Sequence, residues 1–338
     1  MKNRILELHE KAKKNKKTIV LPEGEDERVV KGASVLASAG LANVWLLGKR
    51  ELVEKIAREE SISIEGVNVI DPFEYERRDE IINTYYELRK YKNITLEEAE
   101  KTVMDNLVFF GATMTRMGMV DGFVAGASHT TSDVARAALH CLKIDKEIGT
   151  VSSSFIMEME DCPFGADGLF AYGDCGIIPY PSSRQLAGIA IATSDMFYAL
   201  FGIEPRVAML SYSTKGSASS DSIKTILEAL EKIKERRPKL LIDGELQLDA
   251  AIVPEVAERK CPESPVGGKA NVLIFPNLDA GNISYKLSQR LGKARAVGPL
   301  IQGLNKPCSD LSRGCIWEDV VDTAVVTAIR AQENSMSN

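Results

Sequence analysis

Along the chain, short runs of apolar and β-branched residues alternate with longer stretches whose apolar positions recur every three or four residues. The first pattern predicts strands and the second amphipathic helices; their alternation predicts an α/β fold. Strands are expected at "TIVLP" (18–22), "VWLLG" (44–48), "DGFVAG" (121–126), "TVSSSFIME" (150–158) and "LFAYGD" (169–174). Further strands are expected at "RVAMLSY" (206–212), "KLLIDGE" (239–245), "ANVLIFPN" (270–277) and "ARAVGPLIQ" (294–302). Several are apolar at nearly every position, as in strands covered on both faces.

The helical stretches carry their own punctuation. Thr95 and Glu98 form a capping box that opens a long helix toward Met117. "SASSDSIKTILEALEKIKERRP" places Ile223, Ile226, Leu227, Leu230 and Ile233 at helical spacing and stops before Pro238. In "IWEDVVDTAVVTAIRAQ", Val320, Val321, Ala324, Val325, Ala328 and Ile329 make the stripe of a packed terminal helix; "NSMSN" after it is expected to fray. The charged N-terminus, with Ile5, Leu6 and Leu8 on one side, reads as an amphipathic surface helix.

A chain of 338 residues exceeds what one core usually holds, so two domains are expected. The pattern shifts around Ile148, and Gly-Pro turns cluster near 298–307; these are the two candidate boundaries. No apolar run approaches the ~20 residues of a membrane span, and the N-terminus lacks the apolar core of a secretory signal. A cytoplasmic protein without a membrane partner is expected. The net charge of −6 weighs against nucleic acid as a partner but allows a locally basic cleft. The six cysteines include no C-x-x-C and suggest no disulfide framework, and three histidines leave little scope for zinc. No metal site is expected.

Neither G-x-G-x-x-G nor G-x-x-x-x-G-K-[ST] occurs. Two strand–loop–helix stretches could instead hold an anion on backbone amides at a helix start. "SYSTKGSASSD" (211–221) offers Ser213, Thr214 and Lys215, or is a turn with Ser217 or Ser219 as N-cap. "DGFVAGASHTTSDVARAAL" (121–139) puts Ser128, His129, Thr130 and Thr131 at a strand's carboxyl end, where open α/β sheets bind ligands, with Arg136 further along the helix. One of Thr131, Ser132 or Asp133 would cap that helix, and the surplus of polar groups favours a ligand site. His129 alone decides nothing.

"NKPCSDLSRGCIWED" (305–319) is the densest stretch. Its cysteines could be a nucleophile or packing. Ser312, Arg313 and Asp319 could instead deprotonate a nucleophile and stabilise an oxyanion ahead of the last helix. On the residues alone, a capped helix with a solvated Glu318–Asp319 face stands narrowly ahead.

Taken together, "LPEGEDERVVKGA", "VDGFVAGASHTTSDVAR", "LSYSTKGSA", "DGELQLDAA", "FPNLDAGNISYKLSQRLG" and "GPLIQGLNKPCSDLSRGC" resemble the phosphate acetyltransferases nearly end to end. Phosphate butyryltransferases and the C-terminal domains of some malic enzymes share parts of this pattern. The resemblance implies reversible acetyl transfer between acetyl phosphate and CoA by direct thiolate attack in a ternary complex. Asp319 would be the base, and Ser312 and Arg313 would stabilise charge. It implies Arg89, Arg136 and Arg28 as ligands of CoA or phosphate, and Cys162 as a thiol near the cleft that is no obligatory nucleophile. CoA, acetyl-CoA, acetyl phosphate and phosphate are then substrates, and no cofactor is required. The implied architecture is isocitrate/isopropylmalate dehydrogenase-like: two α/β domains (1–147 with 300–338, and 148–299), a cleft between them, and a homodimer. Cys308-Ser309 and Ile316-Trp317 depart from the family pattern and bear on acyl-pocket shape and packing. Competing readings are butyryl or propionyl transfer, an acyl-cysteine on Cys162, Cys308 or Cys315, and a CoA-binding regulatory domain without turnover.

Overall fold

The computed structural model describes residues 3–336. The chain divides into two units, Met1–Lys143 with Leu304–Asn338, and Ile144–Gly303.

The first unit begins with α1 (Arg4–Lys14), capped by Asn3 and buried through Ile5, Leu8 and Ala12. Leu6, expected on the same side, is 49% exposed; one residue past Ile5 turns it about 100° away from the packed face. Then come β1 (Thr18–Leu21), α2 (Glu27–Ser38), β2 (Asn43–Leu47), α3 (Arg50–Glu59), β3 (Val67–Ile70) and α4 (Arg78–Arg89). A 3-10 turn at Lys90–Lys92 leads to α5 (Leu96–Asp105), α6 (Leu107–Met117), β4 (Gly122–Ala125) and α7 (Thr131–Cys141).

The single helix expected from Thr95 to Met117 is two. The capping box of Thr95 and Glu98 is present, but Asn106 leaves the helical region (φ −137°, ψ 100°) and its side chain accepts from Val108 N, capping a new helix. An asparagine that can bond its own backbone two residues on competes with helix continuation. Likewise, α7 is capped by Thr130 rather than by a residue further along.

The second unit holds β5 (Ser152–Glu158), β6 (Leu169–Gly173), α8 (Ser183–Phe201), β7 (Arg206–Leu210), α9 (Asp221–Arg236) and β8 (Leu241–Leu246). It continues through α10 (Leu248–Ile252), α11 (Pro254–Lys260), β9 (Val272–Ile274), α12 (Leu278–Arg290) and β10 (Arg295–Gln302). Its strands run β10-β5-β6-β9-β7-β8. β5 is antiparallel to both neighbours and the rest are parallel. Phe155 stacks on Tyr285 with centroids 4.0 Å apart in its core. The N-cap of α9 is Ser220, not Ser217 or Ser219; Leu227, placed on the apolar stripe by spacing, is 41% exposed.

The chain re-enters the first unit for β11 (Cys308–Asp310) and α13 (Trp317–Met336). All six stripe residues expected on the last helix are buried, and it packs on α1, α2 and β4. The approach to α2 needs Gly32, where a Cβ would lie 2.8 Å from Val320. The helix continues through residues 334–336 of the tail expected to fray; Ser337 and Asn338 lie outside the described residues.

The first unit's sheet runs β3-β2-β1-β4-β11 and is parallel throughout. From β1 the chain winds outward one way through β2 and β3, then crosses back to β4 on the other side. β1 and β4 therefore flank the topological switch point, where the loops at the strands' carboxyl ends diverge and leave a crevice for ligands.

Candidate active site

Three loops meet at this end of the sheet, following β1, β4 and β11. The loop after β1 contributes Glu23, whose side chain is 1% exposed. Backbone N–H groups of Gly126 and Ala127 donate to its Oε2 at 2.9 Å. Those of Ser128 and His129 donate to Oε1 at 2.9 and 3.0 Å, joined by the Ser128 hydroxyl at 3.0 Å. His129 Nδ1 lies 2.8 Å from Oε1; a carboxylate only accepts, so Nδ1 is the donor. Gly126 (φ +120°) makes the turn possible, since a Cβ there would lie 2.3 Å from Asp310.

The loop after β4 thus cradles an anion, and the anion is the protein's own. Burial pulls the Glu23 carboxyl upward, but His129 and the amides of Ser128 and Ala127 outweigh it and hold it below its ordinary value. Reciprocally, the Glu23 hydrogen bond raises His129.

Arg28, in the first turn of α2, joins the three loops. Its Nε and Nη2 donate to Asp26 at 2.9 and 2.6 Å. Nη2 also donates to Ala127 O at 2.8 Å, and Nη1 to the carbonyls of Arg313 (2.8 Å) and Cys315 (3.0 Å). The five N–H donors of the guanidinium thus meet five acceptors. The fork of Arg28, which the resemblance implies as a substrate ligand, is engaged here with Asp26 and the loop carbonyls.

The carbonyls Arg28 grips belong to the loop after β11, where Ser312 and Arg313 are exposed. The Ser312 hydroxyl accepts from Gly314 N at 3.2 Å. Asp319 is half-buried in the first turn of α13, and its Oδ2 accepts from Ile316 N at 2.9 Å. That is half a capping box, so the capping account of this acid is realised alongside its nearness to the loop.

Beneath the loops lies Asp310, the last residue of β11 and fully buried. Its Oδ2 accepts from Thr131 Oγ1 at 2.6 Å, while Oδ1 has no hydrogen-bond partner among the described residues. Burial pushes its carboxyl up to about 7, against the Thr131 bond and the Leu311 amide, with Glu23 adding to the rise.

A second grouping lies between α4 and α7. Tyr85 OH and His140 Nδ1 are 2.8 Å apart. Burial, then the positive charges of Arg89 and Arg136, push His140 down to about 4. The same two arginines act on Tyr85. Arg89 and Arg136 thus both bear on this pair, with Arg89 bonded to Tyr91 OH at 3.0 Å and Arg136 to Asp133 at 3.1 Å. Among the expected ligand hydroxyls, Thr130 caps α7 within a box closed by Asp133, and Ser128 is bound to Glu23.

All six cysteines are free thiols. Burial pushes Cys308 up to about 12 and Cys315 up to about 11, which leaves neither as a ready thiolate. Cys162 belongs to the second unit and packs on that unit's apolar cluster. The departing pair Cys308-Ser309 is buried strand, with the Ser309 hydroxyl 2.7 Å from Thr327 Oγ1. Trp317 lies under the Lys31 ammonium, 4.7 Å from the ring centroid, and Ile316 is exposed. Among the described residues, no group of three or more His, Cys, Asp or Glu side chains is arranged to hold a metal ion.

Glu23, Asp26 and Asp310 had not been singled out by pattern. For Glu23 the available signal is an acid directly after the first apolar strand; Asp310 stands in a triplet that looks polar in sequence.

The fold is shared with solved structures. A phosphotransacetylase from Streptococcus pyogenes superposes with a TM-score of 0.91 at 40% identity, covering 98% of this chain and 100% of that one. A putative 4-hydroxythreonine-4-phosphate dehydrogenase from Salmonella typhimurium, 12% identical over 94% of this chain and 99% of its own, shares the fold alone with a TM-score of 0.55. These likenesses define the class, mixed α/β with a dehydrogenase-like frame. In sequence, the chain is 49% identical over 328 residues to a phosphate acetyltransferase of Thermoanaerobacterium thermosaccharolyticum, covering 97% of this chain and 99% of the relative. The family model described as phosphate acetyl/butaryl transferase matches residues 4–328, and the chain belongs to that family of transferases.

Proposed function

We propose that the protein catalyses CoA + acetyl phosphate ⇌ acetyl-CoA + phosphate at the carboxyl ends of β1, β4 and β11. The observation that carries this reading is the Arg28 clamp: it fixes the backbone under exposed Ser312 and Arg313 against the Glu23-centred loop. The 49% identity to a relative named phosphate acetyltransferase, along 97% of this chain and 99% of that one, supports acetyl as the acyl group.

A free thiol titrates near ~8.5, so little is thiolate at neutral pH, and a placed carboxylate removes the proton as attack proceeds. Asp319 takes that part. The thiolate forms the C–S bond, the carbonyl oxygen gains charge, and the bond from carbonyl carbon to phosphate oxygen then breaks. Arg313, with Ser312 beside it, balances the oxyanion and the departing phosphate; a fixed donor of this kind lowers a barrier by about 3 kcal/mol. Arg89 and Arg136 supply a paired cationic patch for the phosphates of CoA. No acyl-cysteine is required, in keeping with the burial of Cys308 and Cys315.

The reading includes a homodimer acting in the cytoplasm. No helix among the described residues is long and apolar enough to cross a membrane, and sedimentation of the purified protein reads the assembly. Activity is tested by mixing CoA with acetyl, propionyl or butyryl phosphate and following thioester absorbance for wild type and Asp319→Asn. Thioester formation fastest with acetyl phosphate and strongly slowed in the variant is expected. A butyryl preference would overturn the acyl assignment, and tight CoA binding without turnover would make the protein a binding domain.

A further inference from the structure

The proposed reaction leaves one proton unassigned. Acetyl phosphate enters as CH3CO–OPO3(2−). If the C–O bond broke without proton transfer, the departing group would be PO4(3−), a strong base and a poor leaving group. A proton delivered to the bridging oxygen as that bond breaks yields HPO4(2−) instead. Arg313 cannot serve, because a guanidinium does not deprotonate in proteins.

The imidazole of His129 is held in the loop after β4 with one ring nitrogen fixed on Glu23. Its Nδ1–H is fixed on Glu23, a carboxylate itself pinned by four backbone amides. Its side chain is 28% exposed, and among the described residues no protein group hydrogen-bonds Nε2. It stands two residues beyond Ala127, whose carbonyl shares the Arg28 fork with the carbonyl of Arg313. A carboxylate behind one ring nitrogen favours the doubly protonated ring and aims the other N–H outward.

We propose that His129, held by Glu23, binds the phosphoryl group through Nε2–H and protonates the leaving phosphate. This inference rests on the acyl-transfer reading above and adds a residue to it. The protons balance: Asp319 receives one from the CoA thiol, His129 gives one to phosphate, and solvent carries a proton from Asp319 to His129 between turnovers. In the reverse direction His129 takes the proton from HPO4(2−) as its oxygen attacks the thioester.

The charged groups around the ring are Glu23, in direct contact, and Asp133 on α7, which also favours the imidazolium. Behind Glu23 stand Asp310 and Arg28. With His129 raised, activity is to be retained above the ordinary histidine range and lost on the alkaline side as the ring deprotonates.

The test compares wild type with His129→Gln and His129→Ala, varying acetyl phosphate and CoA separately across neutral and alkaline pH. Two-dimensional NMR of the histidine rings follows addition of inorganic phosphate. Removal of a general acid typically costs ~100-fold or more in rate. The expected result is a loss of that size in kcat, a raised KM for acetyl phosphate, and a KM for CoA within about twofold of wild type. The alkaline limb should vanish in both variants, free imidazole should partly restore His129→Ala, and phosphate should perturb the His129 ring of wild type. An unchanged rate, a surviving alkaline limb, or a ring indifferent to phosphate would overturn the proposal. Normal rates in Asp319→Asn would refute the base assignment while leaving the His129 readouts intact; no thioester from wild type would overturn both.

Discussion

The loop after β4 and the loop after β7 begin from the same pattern, a strand, a run of small polar residues and a helix, and both close around an internal carboxylate. In the second unit that carboxylate is Glu245, 2% exposed, which accepts from Ser213 Oγ at 3.0 Å and Gly216 N at 2.7 Å. There the remaining groups are also consumed internally. Lys215 pairs with Asp243 at 2.5 Å, and the Ser213 hydroxyl also meets Ala218 N and Ser217 Oγ. In the first unit, Glu23 instead holds a titrating ring with a second nitrogen to offer, and Arg28 ties the loop to exposed Ser312 and Arg313. An anion-cradling loop is thus not yet a ligand site. What matters is whether the anion is built in and which donors remain once it is.

The largest effect expected is on Glu23. Glu23→Ala strands four amides that face one buried carboxylate, and at about 1–3 kcal/mol for each unsatisfied buried group the loss is on the order of 5 kcal/mol. Glu245→Ala strands fewer donors and should cost less in a denaturant titration. Only Glu23→Ala should displace the alkaline limb of activity. Wild-type stability should carry the same signature. Glu23, lowered, contributes above its ordinary 4.5 and loses that contribution as pH falls. His129, raised, contributes below its ordinary 6.5 and loses it as pH rises. Their joint support is complete between those two values.

Asp310 runs the other way. Its carboxyl is raised from 3.8 to about 7, so the folded state holds a proton that the unfolded state releases, and stability declines as pH rises between those values. Asp310→Asn should flatten that decline, by at most about 4 kcal/mol across the window. A pH-independent difference between variant and wild type would show that the buried acid does not titrate there.

Much of the frame follows from periodicity, because residues 19–21 and 207–210 are apolar and buried at every position and the last helix has an unbroken stripe. β11 was missed because Cys308-Ser309-Asp310 looks polar on the page, although each residue is buried. Its serine and aspartate find partners on Thr327 and Thr131, 18 and 179 residues away. Ser312, Arg313 and Asp319 stand out as a hydroxyl, a cation and an acid around a helix start. Glu23 does not, since its donors lie more than 100 residues downstream and only the β1–β4 pairing brings them close. Arg28 shows the converse: a motif position suggests ligand binding, and the fold engages its donors with the Asp26 carboxylate and three backbone carbonyls.

The smallest effect on stability is expected at Arg136. Its exposed pair with Asp133 is worth at most about 0.5 kcal/mol, so Arg136→Ala should melt with wild type while raising the KM for CoA. Unchanged CoA saturation would remove Arg136 from the cationic patch.

The most direct measurement is the initial rate of thioester formation from CoA and acetyl phosphate by Arg313→Ala beside Lys215→Ala, each checked for an unaltered circular dichroism spectrum. The account predicts a loss of about 100-fold or more in kcat for Arg313→Ala and a much smaller change for Lys215→Ala, whose ammonium is already paired. A wild-type rate in Arg313→Ala, or a loss confined to Lys215→Ala, would contradict the assignment of the chemistry to the loops of β1, β4 and β11.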